Sequence, residues 1–131
     1  MQLLKIGSIY LRLVELEDAD FILNLRTNEA YNKYLSPVKF DLSMQLSWLS
    51  QYKEREQKNE EFYFIILNPN NESCGTVRLY DFKQNSFCWG SWILNDKKSQ
   101  YAAIQSAYLV YEFGFKRLKF EESHFDVRKE N

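Results

Sequence analysis

From Ile9 to Leu16 the chain alternates, with Ile9, Leu11 and Leu13 set against Tyr10 and Arg12, and a period of two predicts a half-buried strand. At Asp18 the period changes. Asp18 is placed to cap a helix whose apolar positions are Ala19, Phe21, Ile22 and Leu25, ending near Arg26, Thr27 and Asn28. A looser run with Tyr31, Tyr34 and Leu35 closes at Ser36-Pro37, because a residue before proline avoids the α region. Asp41 or Ser43 then caps a second helix carrying Leu42, Leu46, Leu49 and Tyr52 with Trp48 beside them, and its charged tail from Lys53 to Lys58 reads as a solvated end. Phe62 to Leu67 is a dense apolar strand, Asn68-Pro69-Asn70-Asn71 a turn, and Gly75 to Tyr80 its antiparallel partner. After a polar turn from Asp81 to Ser86, Phe87 to Leu94 is the third strand of the meander. From Tyr101 a helical stripe of Ile104, Ala107, Tyr108, Tyr111 and Phe115 is expected to face the core, and Phe120 to Val127 returns to alternation.

The predicted order is thus β α α β β β α β, an α/β chain of the α+β kind with a mixed, mostly antiparallel sheet. Its last three elements form a strand-helix-strand unit, which calls for a right-handed crossover between parallel strands. Such units bind ligands beyond the carboxyl end of the first strand, where the next helix points free N–H groups outward.

Composition narrows the classes. The 131 residues fit one domain, residues 1–131, and 45% apolar with 17% aromatic content is enough for a packed interior. Lys plus Arg number 17 against 18 Asp plus Glu, so a net charge of −1 offers no field for nucleic acid or an anionic membrane. No stretch approaches the ~20 apolar residues of a membrane span and no leader is apparent, so the chain reads as cytoplasmic. Cys74 and Cys88 form no CxxC and there is one His, which argues against a zinc site, a disulfide framework or a Ser-His-Asp arrangement. No metal is expected.

Between the third meander strand and the helix runs Asn95-Asp96-Lys97-Lys98-Ser99-Gln100-Tyr101-Ala102-Ala103. Two lysines before a helix N-terminus oppose the macrodipole unless an anion such as a phosphate lies between them. The same residues also fit an ordinary solvated loop with Ser99 as the helix cap.

The chain resembles the GCN5-related N-acetyltransferase (GNAT) superfamily, in the branch of the ribosomal-protein and amino-sugar N-acetyltransferases. The residues that carry the resemblance are Arg12-Leu13-Val14-Glu15 with Asp18-Ala19, Ile22 and Leu25-Arg26, then Trp48, Gly75-Thr76-Val77 with Leu79 and Asp81. Gly90-Ser91-Trp92-Ile93-Leu94 is similar to the family's fourth strand, Tyr111-Glu112-Phe113 to the end of its long helix, and Val127-Arg128 with Asn131 to the end of its fifth strand.

The resemblance implies acetyl-CoA as cosubstrate and direct transfer of acetyl to a deprotonated primary amine of a small molecule, an amino sugar foremost. The main chain of Trp92, Ile93 and Leu94 would hold the pantetheine, and Lys98, Ser99, Gln100, Tyr101, Ala102 and Ala103 would form the phosphate loop, with Asn131 beyond. Lys98 takes the loop's basic position and Ala103 its final small residue, but Tyr101 stands where the family has glycine, so altered loop geometry is expected. Arg26, Asn28 and Tyr31 fall where the family has one wall of its acceptor pocket. The family's closing helix and hairpin have no counterpart after Asn131, so the resemblance implies a domain incomplete at its C-terminus. An exposed strand edge would then invite a second copy as a homodimer. Asp81 and His124 are the candidates for proton transfer, although a turn acid and a solvated strand face explain them equally well. The alternative to an enzyme is a catalytically impaired remnant that keeps the scaffold as a CoA-binding or oligomerising domain. A dinucleotide-binding domain is disfavoured, because the glycine fingerprint is absent and the meander is antiparallel.

Overall fold

Six strands form one sheet in the order β1-β2-β3-β4-β5-β6 in the computed structural model, which describes residues 4–31 and 41–125. β1 (Leu4–Ile6) and β2 (Ile9–Leu13) make a tight hairpin, with Gly7 turning the corner at φ +58° in the left-handed region. β1 was not expected, since three residues are too few to display a period.

β2 stops at Leu13, short of the predicted Leu16, because Leu16–Asp18 closes into a 3-10 turn before α1 (Ala19–Thr27). Asp18 precedes the helix as expected but does not cap it with its side chain. Its carboxylate instead accepts the Glu15 N–H at 2.8 Å and both terminal nitrogens of Arg12 at 2.8 Å each. Burial pushes the Asp18 carboxyl up, but the bonds from Arg12 and Glu15 outweigh it and hold the group below its usual range.

α2 (Leu42–Gln57) is capped by Asp41, whose Oδ1 accepts the Met44 N–H at 3.1 Å. The buried face is Gln45, Leu49 and Tyr52, while Leu42 and Leu46 are exposed. Its charged tail is docked rather than solvated: Lys53 Nζ donates to Val14 O at 3.0 Å, and Arg55 meets Glu61 at 2.9 Å. The run of charges hid these partners because Val14 lies 39 residues away and Glu61 beyond the helix end.

β3 (Phe62–Leu67) is buried at every position, as a strand covered on both faces must be. α1 and α2 pack on one face through Val14, Ala19, Ile22, Leu49, Tyr52, Tyr63 and Ile65. α3 (Ala102–Glu112) covers the other face, where Leu11, Phe64, Val77, Leu79 and Phe87 meet Leu109, Val110 and Phe113. Full burial of such a side chain contributes about 1.5–3 kcal/mol.

The first half of the stripe expected to bury α3 is turned outward, with Ile104 74% and Tyr108 50% exposed, while Ala102, Ser106, Leu109 and Val110 are buried and Tyr111, further along the stripe, packs half-buried against the core. At 100° per residue the two sets lie on opposite sides of the helix, and the small Ala102 and Ser106 are what the sheet receives closely. After α3, Phe113–Arg117 forms one π turn. There a Cβ on Gly114 would lie 2.3 Å from the Phe87 ring, so the close crossing requires glycine.

β4 (Ser73–Tyr80) and β5 (Ser86–Leu94) complete the antiparallel meander, and β6 (Glu122–His124) pairs parallel to β5 as predicted for the crossover. β6 is shorter than the predicted strand from Phe120. The expectations at Tyr34, Leu35, Ser36-Pro37, Val127, Arg128 and Asn131 lie outside the described residues.

Candidate active site

Two features meet at the carboxyl end of β5. The first is a bulge. Thr76 pairs with Ile93 and Arg78 with Gly90, so the single residue Val77 stands opposite two, Ser91 and Trp92. Ser91 sits at φ +48°, a left-handed value usually left to glycine. The extra residue resets the alternation, so that Trp89 and Trp92, three apart, both face α3. Their rings lie 5.1 Å apart, Trp89 Nε1 donates to Tyr111 Oη at 3.2 Å and Trp92 Nε1 to Ser106 Oγ at 3.1 Å.

Along β5's outer edge, β6 pairs only with Ser86, Phe87 and Cys88. Among the described residues, no strand covers the edge from Trp89 to Leu94. An uncovered edge presents main-chain N–H and C=O groups to a ligand. Trp92 is exposed, Leu94 half-buried, and Ile93 buried beneath α1 and α2.

The second feature is the turn into α3. Asn95 N–H bonds Cys74 O at 2.8 Å, and Asn68 Nδ2 donates to Lys97 O at 3.0 Å, tying the turn to the β3–β4 loop. Lys97 pairs with Glu72 at 3.6 Å, so of the turn's two exposed lysines Lys98 is the one that makes no salt bridge with the described residues. Ser99 is not the cap. The cap position is Tyr101, and the Ser99 carbonyl accepts the Ala102 N–H at 3.2 Å. Tyr101 adopts φ −107°, which any residue can take, and its ring is 59% exposed. Ala103 is exposed, Ala102 buried, Ser99 half-buried and Gln100 exposed. No backbone acceptor among the described residues reaches the N–H groups of Ala103 and Ile104 in this first turn. Free amides, an exposed lysine and a tyrosine ring swung clear make a donor set that fits a phosphate group.

Beside this turn lies an open cavity of about 240 Å³ lined by Phe21, Asn24, Leu25, Asn28, Tyr31, Asn95 and Asp96. It brings two of the three acceptor candidates, Asn28 and Tyr31, next to the β5–α3 turn. Arg26 does not line it, and its charge bears instead on the buried Tyr63 hydroxyl. Phe21, Asn24, Asn95 and Asp96 were not foreseen as site residues. A helix end and a turn some seventy residues away in sequence show no joint signal until packing joins them.

Asp81 and His124 are brought together, but at the other end of β5. His124 Nε2 lies 3.0 Å from Asp81 Oδ2 and Nδ1 lies 2.9 Å from Ser86 Oγ. Asp81 accepts, so Nε2 carries a proton in this pair. That bond draws the Asp81 carboxyl below its usual range. Cys88, the strand partner of His124, is six residues from Leu94, roughly 20 Å along the strand. The pair joins β6 to the β4–β5 turn.

Cys74 is buried and its thiol is pushed up to about 11 by burial, which makes it inert at neutral pH. The described residues hold no group of three or more His, Cys, Asp or Glu placed for a metal, and none of their helices is long and apolar enough to cross a membrane.

Comparisons with known proteins bear on this geometry. The family model for the acetyltransferase (GNAT) domain matches residues 8–131. No curated protein sequence gives a significant match. Among solved structures, apo FdhC, described as a nucleotide-linked sugar GNAT, is 53% identical with a TM-score of 0.88, over 99% of this chain and 75% of that one. The ribosomal-protein-S5-alanine acetyltransferase from Vibrio fischeri superposes with a TM-score of 0.77 at 17% identity, over 92% of this chain and 70% of its own. A chimeric spermidine N-acetyltransferase SpeG from Vibrio cholerae gives 0.72 at 19% identity, over 95% and 74%. The last two share the fold. The family model and the 53% identical structure carry more, and on them this chain belongs to the GNAT family of acetyltransferases and is an N-acetyltransferase.

Proposed function

We propose that this protein transfers the acetyl group of acetyl-CoA directly to a primary amine on a small, hydroxyl-rich acceptor, an amino sugar foremost. The observation that carries the reading is the cavity between α1 and the β5–α3 turn. Three amide side chains line it: Asn28 and Asn95 spend their Oδ1 atoms on the Ala30 and Lys97 N–H groups at 2.9 Å each and keep amide donors suited to sugar hydroxyls, Asn24 is exposed beside them, and Phe21 and Tyr31 offer apolar ring surface. Among the described residues Asp96 is the one charged lining residue, enough to hold a single ammonium but not a string of them. The 53% identical structure is described as a nucleotide-linked sugar GNAT, which agrees with this choice.

Acetyl-CoA, when bound, supplies the acetyl group as a thioester. The free amides of Ala103 and Ile104 and the Lys98 ammonium bind its phosphates, and the open main chain of Trp92 to Leu94 orients the pantetheine. Asp96 holds the acceptor's amine beside the β5 end, and the attack requires that amine neutral, so a proton leaves to water or a base at the cavity. Isothermal titration tests the first half: wild-type protein gives saturable heat with acetyl-CoA, and silence at millimolar ligand would sink the reading. A thiol-release assay over amino sugars, peptides and polyamines tests the second, with amino sugars expected to lead.

A further inference from the structure

The bulge on β5 is held from behind. Thr76 is fully buried on β4, on the sheet face covered by α1 and α2, and its hydroxyl donates to the Ser91 carbonyl at 2.8 Å. Two residues on, Arg78 Nε donates to Ser91 Oγ at 3.3 Å. Arg78 is itself fixed. Its Nη1 meets Glu61 at 2.9 Å and its guanidinium lies 4.0 Å from the centre of the Tyr80 ring and 5.6 Å from that of Trp48. The carbonyl and the hydroxyl of Ser91 are therefore both bonded to one neighbouring strand, at a residue whose φ of +48° disfavours any side chain.

The consequence reaches the open edge. Without the extra residue, alternation would place Ser91 and not Trp92 beside Trp89 on the α3 face, and every residue beyond would change sides. The main-chain groups of Trp92, Ile93 and Leu94 take their directions from the bulge.

We propose that Thr76, with Arg78 in support, is a positioning residue for acetyl transfer: by bonding Ser91 in its left-handed conformation it sets the register of the β5 edge that receives acetyl-CoA. This rests on the reading of that edge as the cosubstrate site. It assigns no contact between Thr76 and the substrate.

The test compares Thr76→Val, nearly the same shape without the hydroxyl, with Thr76→Ser, which keeps it, and with the double variant Thr76→Val/Ser91→Gly. Two readouts are used. Titration calorimetry gives acetyl-CoA affinity, and the indole N–H resonances report Trp92 at Ser106 and Trp89 at Tyr111. We expect Thr76→Val to bind about tenfold more weakly, in line with one lost buried hydrogen bond. The Trp92 indole resonance moves. Thr76→Ser restores both, and glycine at 91, which adopts the left-handed conformation without cost, recovers most of the affinity lost in the valine variant.

A valine variant unchanged in both readouts, while wild type binds acetyl-CoA, would overturn the positioning role alone. So would a defect that neither serine nor the second-site glycine relieves, since that pattern belongs to packing. Wild-type protein that gives no heat overturns the cosubstrate reading itself, and the role with it, whatever the indole signals do.

Discussion

Gly75→Ala is expected to loosen the site and the sheet together. Gly75 pairs with Leu94 at the end of β5, and a Cβ there would lie 2.2 Å from Ile93 O, 2.9 Å from Leu94 Cδ2 and 3.3 Å from Ile66 Cδ1. The backbone of Gly75 is not left-handed, so alanine meets no conformational penalty, only contact. A carbon and a carbonyl oxygen rest at about 3.3 Å or more, so the two strands must part by roughly 1 Å. The nearest atom is main chain and cannot swing aside without loosening the ladder. Overpacking of this kind costs about 1–3 kcal/mol, and a strained ladder bond adds about 1. For 131 residues the unfolding entropy is about 0.28 kcal/mol/K, so a loss of ~3 kcal/mol lowers the melting temperature by about 11 °C. A 1 Å displacement of the positioning edge can lower turnover by about a hundredfold. Gly90→Ala is the matched control, because its Cβ would meet only the end of the Tyr80 side chain, at 3.3 Å from the hydroxyl, and that ring can shift. Thermal unfolding followed by circular dichroism and acetyl-CoA titration of both variants make the comparison. If Gly75→Ala melts within about 2 °C of wild type and binds equally well, the claim that β4 and β5 meet too closely for a side chain there is wrong.

Two further outcomes follow from named contacts. Asp18→Asn leaves Arg12 without its bidentate partner in a pair with side-chain exposures of 31% and 11%, and should cost about 1–3 kcal/mol at pH 7 by denaturant unfolding. Because the folded carboxyl lies below its usual value, that stabilisation is present above the unfolded pKa near ~4 and is lost as pH falls through the folded value. The wild-type advantage over Asp18→Asn should therefore shrink in acid, and an advantage that grows there would contradict the ion pair. On α3, Ile104→Lys should change stability by less than about 0.5 kcal/mol, while Leu109→Ala should cost about 2–5, and the reverse ranking would mean that the helix buries its other side.

That last comparison shows where the sequence ran out. The helix itself was readable, but Ala102, Leu109 and Val110 form an apolar stripe as good as Ile104, Tyr108 and Phe115, and periodicity cannot choose between two stripes on one helix. What decided it was steric: the sheet takes the side that begins with alanine and serine. The strands of the meander were readable for the opposite reason, since β3, β4 and β5 are long and bounded by turn residues, whereas β1 and β6 have three residues each. The cavity was half visible, in Asn28 and Tyr31, because its other half sits on a turn that only the fold brings near.

The departure of the phosphate loop from the family's pattern, Tyr101 in place of a glycine, has a physical answer. Glycine is required where φ is positive or where main chain must pass close, and Tyr101 meets neither condition: at φ −107° with its ring in solvent, it leaves the α3 amides as open as glycine would. The left-handed position lies ten residues earlier, at Ser91, where no glycine was looked for. Its one sequence trace is a pair of tryptophans spaced by three inside a strand, a spacing that regular alternation cannot put on one face. Trp89 and Trp92 both reach α3, so an extra residue must lie between them. The strain that the β5–α3 turn avoids is thus carried by the strand edge, and it is there, through Thr76 and Arg78, that side-chain hydrogen bonds hold the shape.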